Sequence, residues 1–203
     1  MKGDRDLVIA TGNPGKIHEI QQMLCSVPHR LLSLRDFPNA VEVEETGDTY
    51  EANAILKARG YAAQLCKWTL ADDSGLEISA LNGAPGVISA RYGGTDTSFD
   101  EKIALLLHEL KDSPPGLRTA RFVCSMAISD QNGSIVLTEF GICPGTIALS
   151  PSGTGGFGYD PIFVPNGFEL SFGELPTDVK LRISHRAMAS AKIMRYLQDF
   201  MGV

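Results

Sequence analysis

The stretch "RTARFVCSMAISDQNGSIVLTEFGICPGTIAL", Arg118–Leu149, decides the class of fold. It holds two long apolar runs separated by Asn132-Gly133, a pair that turns a chain back on itself because both residues tolerate positive φ. A long β-hairpin is the expectation. Upstream the pattern differs. "DLVIAT" (Asp6–Thr11) is a short apolar run stopped by Gly-Asn-Pro-Gly, after which Ile17, Ile20 and Leu24 recur near helical spacing in "KIHEIQQML". "HRLLSLR" reads as the next strand, and "TYEANAILKARGYAAQLC" as a long helix rich in good helix formers. Strands that alternate with helices, followed by strands in a hairpin, indicate an α/β chain with a mixed sheet flanked by helices.

Between these regions lies "WTLADDSGLEIS" (Trp68–Ser79), and then "SFDEKIALLLHELK", where Ser98 and Glu101 form the capping-box pattern of a helix start. A last helix is predicted from about Ser184 to near Phe200, with Ser184 as its N-cap. The 203 residues suit a single domain, 1–203, of two lobes around a cleft. No linker or repeat marks where the lobes divide.

An apolar fraction of 43% and a charged fraction of 21% fit a folded globular chain. The net charge of −6 argues against a surface that coats nucleic acid, but a local group of lysines still suits a small anion. Cys25, Cys66, Cys124 and Cys143 form no Cys-x-x-Cys pair and read as reduced core residues. The apolar run before Gly12 is too short for a signal-peptide core, and no run approaches the ~20 residues that cross a bilayer. The expected setting is cytoplasmic, with neither a nucleic acid polymer nor a membrane as partner.

Four stretches carry chemistry. "TGNPGK" (Thr11–Lys16) sits where a strand gives way to a helix, a place whose backbone N–H groups and dipole favour phosphate, and Lys16 adds a full charge. "ADDSG" sets Asp72 beside Asp73, and such neighbours raise each other's pKa unless a positive charge intervenes. A divalent cation relieves the repulsion. Mg²⁺ takes oxygen ligands, so Glu45 with Asp72 are candidate ligands, leaving Asp73 to accept a proton from water. "GTGGFGYDPIF" offers flexible backbone, the flat faces of Phe157 and Tyr159 for stacking on a base, and Asp160 as an acceptor for a ring N–H or ribose hydroxyl. In "KLRISHRAMAS", Arg186 can only donate, which suits a carbonyl or phosphate rather than an amino group; hypoxanthine and xanthine carry such a carbonyl at C6.

Taken together, "TGNPGK", "EETGDTYEANAILKA", "ADDSGLEISALNGAPGVISARYGG", "ARF", "GTGGFGYDPIF" and "ISHR" resemble, in order, the inosine triphosphate pyrophosphatase family, from Leu7 to the final helix. The resemblance implies a two-lobed protein, commonly a homodimer, that uses Mg²⁺ to cleave ITP, dITP and XTP between the α and β phosphates. It further implies that Thr11, Gly12, Asn13, Lys16 and Lys57 engage phosphates. Glu45 and Asp72 would hold the metal, in which Asp73 shares, and Asp73 would be the base. Phe157, Gly158, Tyr159, Asp160, Lys180, His185 and Arg186 would form the nucleoside pocket, with Ser74 near the substrate. Leu181 departs from the small polar residue often found there in the family, and "SFGELP" matches only loosely. Two rival readings are a nucleotide sensor without turnover and a pyrophosphatase for modified pyrimidine nucleotides.

Overall fold

In the computed structural model, which describes residues 6–201, the run DLVI forms β1 (Asp6–Ile9), with every residue buried. The chain then enters α1 (Pro14–Met23). Pro14 opens that helix without loss, because its missing N–H would have had no intrahelical partner. β2 (Arg30–Ser33) leads to α2 (Tyr50–Leu65), capped by Thr49, whose hydroxyl accepts from the Ala52 N–H. β3 (Trp68–Ile78), α3 (Phe99–Glu109), β4 (Thr119–Ser129), β5 (Ile135–Ile147), β6 (Phe163–Pro165), α4 (Thr177–Ile183) and α5 (His185–Met201) follow.

The strands form one sheet in the order β2-β1-β3-β4-β5-β6. β1 runs parallel to β2 and β3, whereas β6 runs antiparallel to β5, so the sheet is mixed, as the sequence implies. The hairpin turn is built by Asp130, whose Oδ1 accepts from the N–H groups of Asn132 and Ser134, with Gly133 at φ 85°. The capping box at α3 also forms: Ser98 Oγ accepts from the Glu101 N–H, and Glu101 Oε2 accepts from the Ser98 N–H.

Two points differ from expectation. α4 has only seven residues and follows Pro176 without a side-chain cap, so it leaves no periodic signature in the sequence. The last helix begins where expected: Ser184, extended at φ −69° and ψ 160°, directly precedes α5 in the N-cap position, and its N–H also closes α4 on the Lys180 carbonyl. Cys25 and Cys66 are exposed rather than in the core, because both lie just past a helix end where the chain meets solvent; only Cys124 and Cys143 are buried. No helix among the described residues is long and apolar enough to cross a membrane.

The chain forms two compact units. One ends its first segment at Asp73, takes Cys124–Gly141 and resumes at Arg186; the other comprises Ser74–Val123 and Ile142–His185. In the first, the two-residue period of the strands sorts side chains to opposite faces. Leu7, Ile9, Leu70 and Met126 pack with Ile20 of α1, with Leu24 at its C-cap and with Ile193 and Leu197 of α5. Ala10, Ala71 and Ala127 meet Ala54 and Ala58 of α2, and this small-residue layer lets the helix lie close to the strands. In the second unit, Leu76, Ile78, Phe122 and Ile147 pack with Ile103, Leu106 and Leu110 of the α3 region and with Phe163 and Phe172.

Asp6 joins the edges of the parallel strands electrostatically. Arg30 donates to it through Nε and Nη2 at 2.8 and 2.9 Å, and Lys67 Nζ at 3.0 Å. The hydrogen bonds from Arg30 and then Lys67 hold its carboxyl well below the ordinary 3.8. Such a depressed group contributes stability that is complete above its unfolded pKa of about 3.9 and is lost as pH falls through the lower folded value. Asp6→Asn is therefore expected to lower the melting temperature at pH 7, with a gap that narrows below about pH 4. Thermal melts at pH 7 and pH 3 check this; an equal gap at both would remove the charge from the account.

Candidate active site

β3 delivers Asp72 and Asp73 at the end of its stretch in the first unit, with relative exposures of 0% and 5%. Their surroundings differ. Asp72 Oδ2 receives Lys16 Nζ at 3.1 Å and Arg186 Nη2 at 3.1 Å, and Arg186 Nη1 reaches Glu19 Oε2 at 2.5 Å. Asp73 Oδ2 accepts from Asn53 Nδ2 at 3.1 Å, and its Oδ1 lies 3.9 Å from Lys57 Nζ. Lys57 also donates to Glu45 Oε1 at 2.7 Å.

Burial alone drives both carboxyls upward. At Asp72 the charges of Lys16, Arg186 and Lys57 outweigh burial and hold the group well below 3.8. At Asp73 burial prevails over Lys57 and Lys16, Glu45 adds repulsion, and the carboxyl is raised. Burial also opposes the charge on Lys57, but Asp72, Asp73 and Glu45 outweigh it and raise its pKa. Two adjacent carboxyls are thus pushed in opposite directions, a separation that marks one as a fixed anion and the other as a group able to take a proton.

The start of α1 is more occupied than the sequence suggests. Asn13 Oδ1 accepts from the N–H groups of Gly15 and Lys16 at 2.9 and 3.1 Å, so the helix caps itself rather than presenting those donors. Thr11 Oγ1 accepts from the Asn13 N–H at 3.2 Å. Gly12 is exposed, and a Cβ there would meet nothing within 4 Å, which leaves open space over the loop.

In the second unit, Asp160 organises the glycine-rich loop: its Oδ2 accepts from the Phe157 N–H at 2.7 Å and pairs with Lys180 Nζ. A Cβ on Gly156 would fall 2.0 Å from that same oxygen, and Gly156 is at φ 70°, so only glycine fits. Lys180 Nζ also lies 4.4 Å from the centre of the half-buried Phe157 ring. Gly158 packs toward Phe99, and Ser74 is the half-buried residue at which the chain enters this unit. His185 is buried with its ring stacked on Phe122 at 4.8 Å.

Two expected ligand contacts are placed differently. Tyr159 is 3% exposed, belongs to the apolar core, packs edge-on against Phe99 and donates its hydroxyl to the Ser89 carbonyl at 2.9 Å. It anchors the loop and has no open face for a base. Arg186 is 1% exposed, with its guanidinium committed to Glu19 and Asp72 rather than offered to a ring carbonyl. The sequence reading also passed over Asn53 and Glu19. Asn53 stands four residues before Lys57, hence on the same helix face, and Glu19 is an acid on the buried side of α1 between Ile17 and Ile20. Those spacings were the available signals.

No group of three or more His, Cys, Asp or Glu side chains converges as a metal site among the described residues. The carboxylate donors come in smaller sets: Glu45 and Asp73 gathered on Lys57, and Asp72, whose buried Oδ1 has no hydrogen-bond partner.

Residues 7–196 match the Ham1 family model. A dITP/XTP pyrophosphatase of Rhodopirellula baltica is 47% identical over 184 residues, 91% of this chain and 88% of its own. One from Exiguobacterium sp. is 46% identical over 96% of this chain and 98% of its own. Among solved structures, a HAM1 protein from Coxiella burnetii superposes with a TM-score of 0.87 at 37% identity, covering 96% of this chain and 98% of that one. The Staphylococcus aureus Ham1 protein gives 0.83, also at 37% identity, over 95% and 98%. Relatives of this name are the class of protein that the motifs resemble, and on the length and identity of these matches the chain belongs to the Ham1 family.

Proposed function

We propose that this protein is a nucleoside triphosphate pyrophosphohydrolase that converts ITP, dITP and XTP to the monophosphate and pyrophosphate, clearing deaminated purines from the nucleotide pool. The names of its relatives support the substrate class. The observation that carries the reaction is the different company of two adjacent aspartates: Asp72 is paired with Lys16 and Arg186, whereas Asp73 is held by Asn53 near Lys57, which also binds Glu45; the lowered Asp72 and raised Asp73 agree with that division.

Asp73 is assigned as the base, its carboxylate taking a proton from the attacking water while Asn53 and Lys57 hold it in place. Lys16 and Lys57 are assigned to the phosphates, where their charges offset the negative charge growing on the departing pyrophosphate. Thr11, Gly12 and Asn13 shape the loop that admits them. Arg186 acts as a fixed counter-charge for Asp72. In the second unit, Phe157 is the stacking face, Lys180 lies over its ring, Asp160 and Tyr159 set the loop that carries it, and His185 is assigned to the same nucleoside pocket.

Glu45, Asp73 and the unpartnered Asp72 Oδ1 are hard oxygen donors of the kind Mg²⁺ accepts, and since the three do not converge as one cluster, one or two of them would hold the ion together with waters and substrate phosphates. When bound, Mg²⁺ would supply charge neutralisation on the phosphates. A homodimer in the cytoplasm completes the reading; light scattering coupled to gel filtration tests the dimer.

The decisive assay offers ITP, dITP, XTP, GTP and methylated UTP or CTP with Mg²⁺ and measures pyrophosphate and orthophosphate separately. The expected result is pyrophosphate from the deaminated purines, with GTP a poor substrate. Orthophosphate as the first product would overturn the reaction. ITP binding without turnover would favour a sensor, and preference for methylated pyrimidines would move the substrate class.

A further inference from the structure

Asn53 and Lys57 lie one turn apart on the buried face of α2, and each touches the same two places. Lys57 Nζ meets Glu45 Oε1 and Asp73 Oδ1. Asn53 accepts from the Gly47 N–H through Oδ1 at 2.8 Å and donates to Asp73 Oδ2 through Nδ2 at 3.1 Å. The amide is read unambiguously, since a backbone N–H requires an acceptor and a carboxylate requires a donor. Both oxygens of Asp73 are therefore addressed from one helix, and that helix also fixes the acidic loop at Glu45 and Gly47.

The loop is seated closely. A Cβ on Gly47 would come within 2.7 Å of Ala52 Cβ and 2.8 Å of Asn53 Oδ1, so the backbone at Gly47 approaches α2 as only glycine can. Asn53 itself is fully buried, at 0% exposure, where an unpaired amide is costly. Nothing in this arrangement requires Asn53 to touch a nucleotide.

We propose that Asn53 is a positioning residue, whose side-chain amide ties the backbone of the acidic loop to Asp73 and thereby sets the spacing of the Glu45 and Asp73 carboxylates. The inference rests on the pyrophosphohydrolase reading for its consequence in turnover, and on geometry alone for the tie between loop and aspartate. An asparagine is suited to the task because it offers one acceptor and one donor at fixed separation, whereas an aspartate keeps only the acceptor.

Two variants separate the two ends. Asn53→Asp retains an acceptor for Gly47 and loses the donor to Asp73; Asn53→Ala loses both. Hydrogen exchange of the ligand-free protein reads the loop, and steady-state ITP hydrolysis over a Mg²⁺ titration reads the site. Asn53→Ala is expected to exchange the Gly47 amide at least ~10-fold faster. Its kcat is expected to fall by roughly 10- to 100-fold, with KM for ITP changed much less and half-saturating Mg²⁺ raised. Asn53→Asp is expected to keep the Gly47 amide protected while losing kcat to a similar degree. Unchanged Gly47 exchange in a folded Asn53→Ala overturns the tie. Full kcat in either variant overturns the positioning role, as does a loss confined to KM. Wild-type protein that releases no pyrophosphate from any nucleotide defeats the functional reading instead, and the exchange comparison still decides whether Asn53 holds the loop.

Discussion

Asp73→Asn is expected to lower kcat for pyrophosphate release by about 10²- to 10⁴-fold, the range that removal of a general base produces, while ITP binding in the presence of Mg²⁺ is largely retained. The same variant is expected to melt at a higher temperature than the wild type at pH 7. The sign follows from the raised carboxyl. An acid whose folded pKa exceeds its unfolded one favours the fold below the unfolded value and loses that contribution as pH rises through the folded value, so at neutral pH the ionised group is a net burden. An amide carries no such burden. Loss of turnover together with gain of stability is the signature of a residue kept for chemistry. Full activity in Asp73→Asn would remove it from the base role, and a fall in melting temperature would show that its contacts to Asn53 and Lys57 outweigh its desolvation.

Arg186→Met carries the second large effect. Arg186 is the shared partner of Glu19 and Asp72, and all three are buried. Replacing it with an apolar side chain of similar length takes this cation from both buried acids, with Lys16 as the remaining close cation at Asp72. Breaking a buried pair from one side costs roughly 3–5 kcal/mol, far more than the net worth of the intact pair. Urea denaturation measures the loss. Adding Glu19→Gln to Arg186→Met is expected to recover part of it, since one of the stranded charges is then gone. A loss below about 1 kcal/mol, the scale of an exposed pair, would mean that the cluster is hydrated.

These expectations depend on contacts of very different sequence range, and range explains what could be read in advance. The hairpin turn at Asp130–Ser134 and the capping box at Ser98 and Glu101 are closed within five residues, so their chemistry is written locally. The aspartate pair was visible as a pair. What tells Asp72 from Asp73 is its pairing with Lys16 of the first helix and with Arg186, 114 positions away, and no spacing rule reaches that far. Tyr159 misled for a related reason: an aromatic in a glycine-rich loop serves equally as a stacking face or a core plug, and the hydroxyl bond to Ser89, 70 positions away, decides it. The short helix Thr177–Ile183 escaped because two turns leave too few apolar positions to reveal a period.

The path of the chain has a consequence for inheritance. It passes from one compact unit to the other at Asp73/Ser74, Val123/Cys124, Gly141/Ile142 and His185/Arg186. The turn that joins β4 to β5 belongs to the first unit, while the far halves of both strands belong to the second. A gene fragment encoding the second unit would need a new connection between residues 123 and 142, and recombination could not exchange that unit as a cassette without severing three strands. The aspartates and the glycine-rich loop thus lie on a chain path that no single cut separates into its two units.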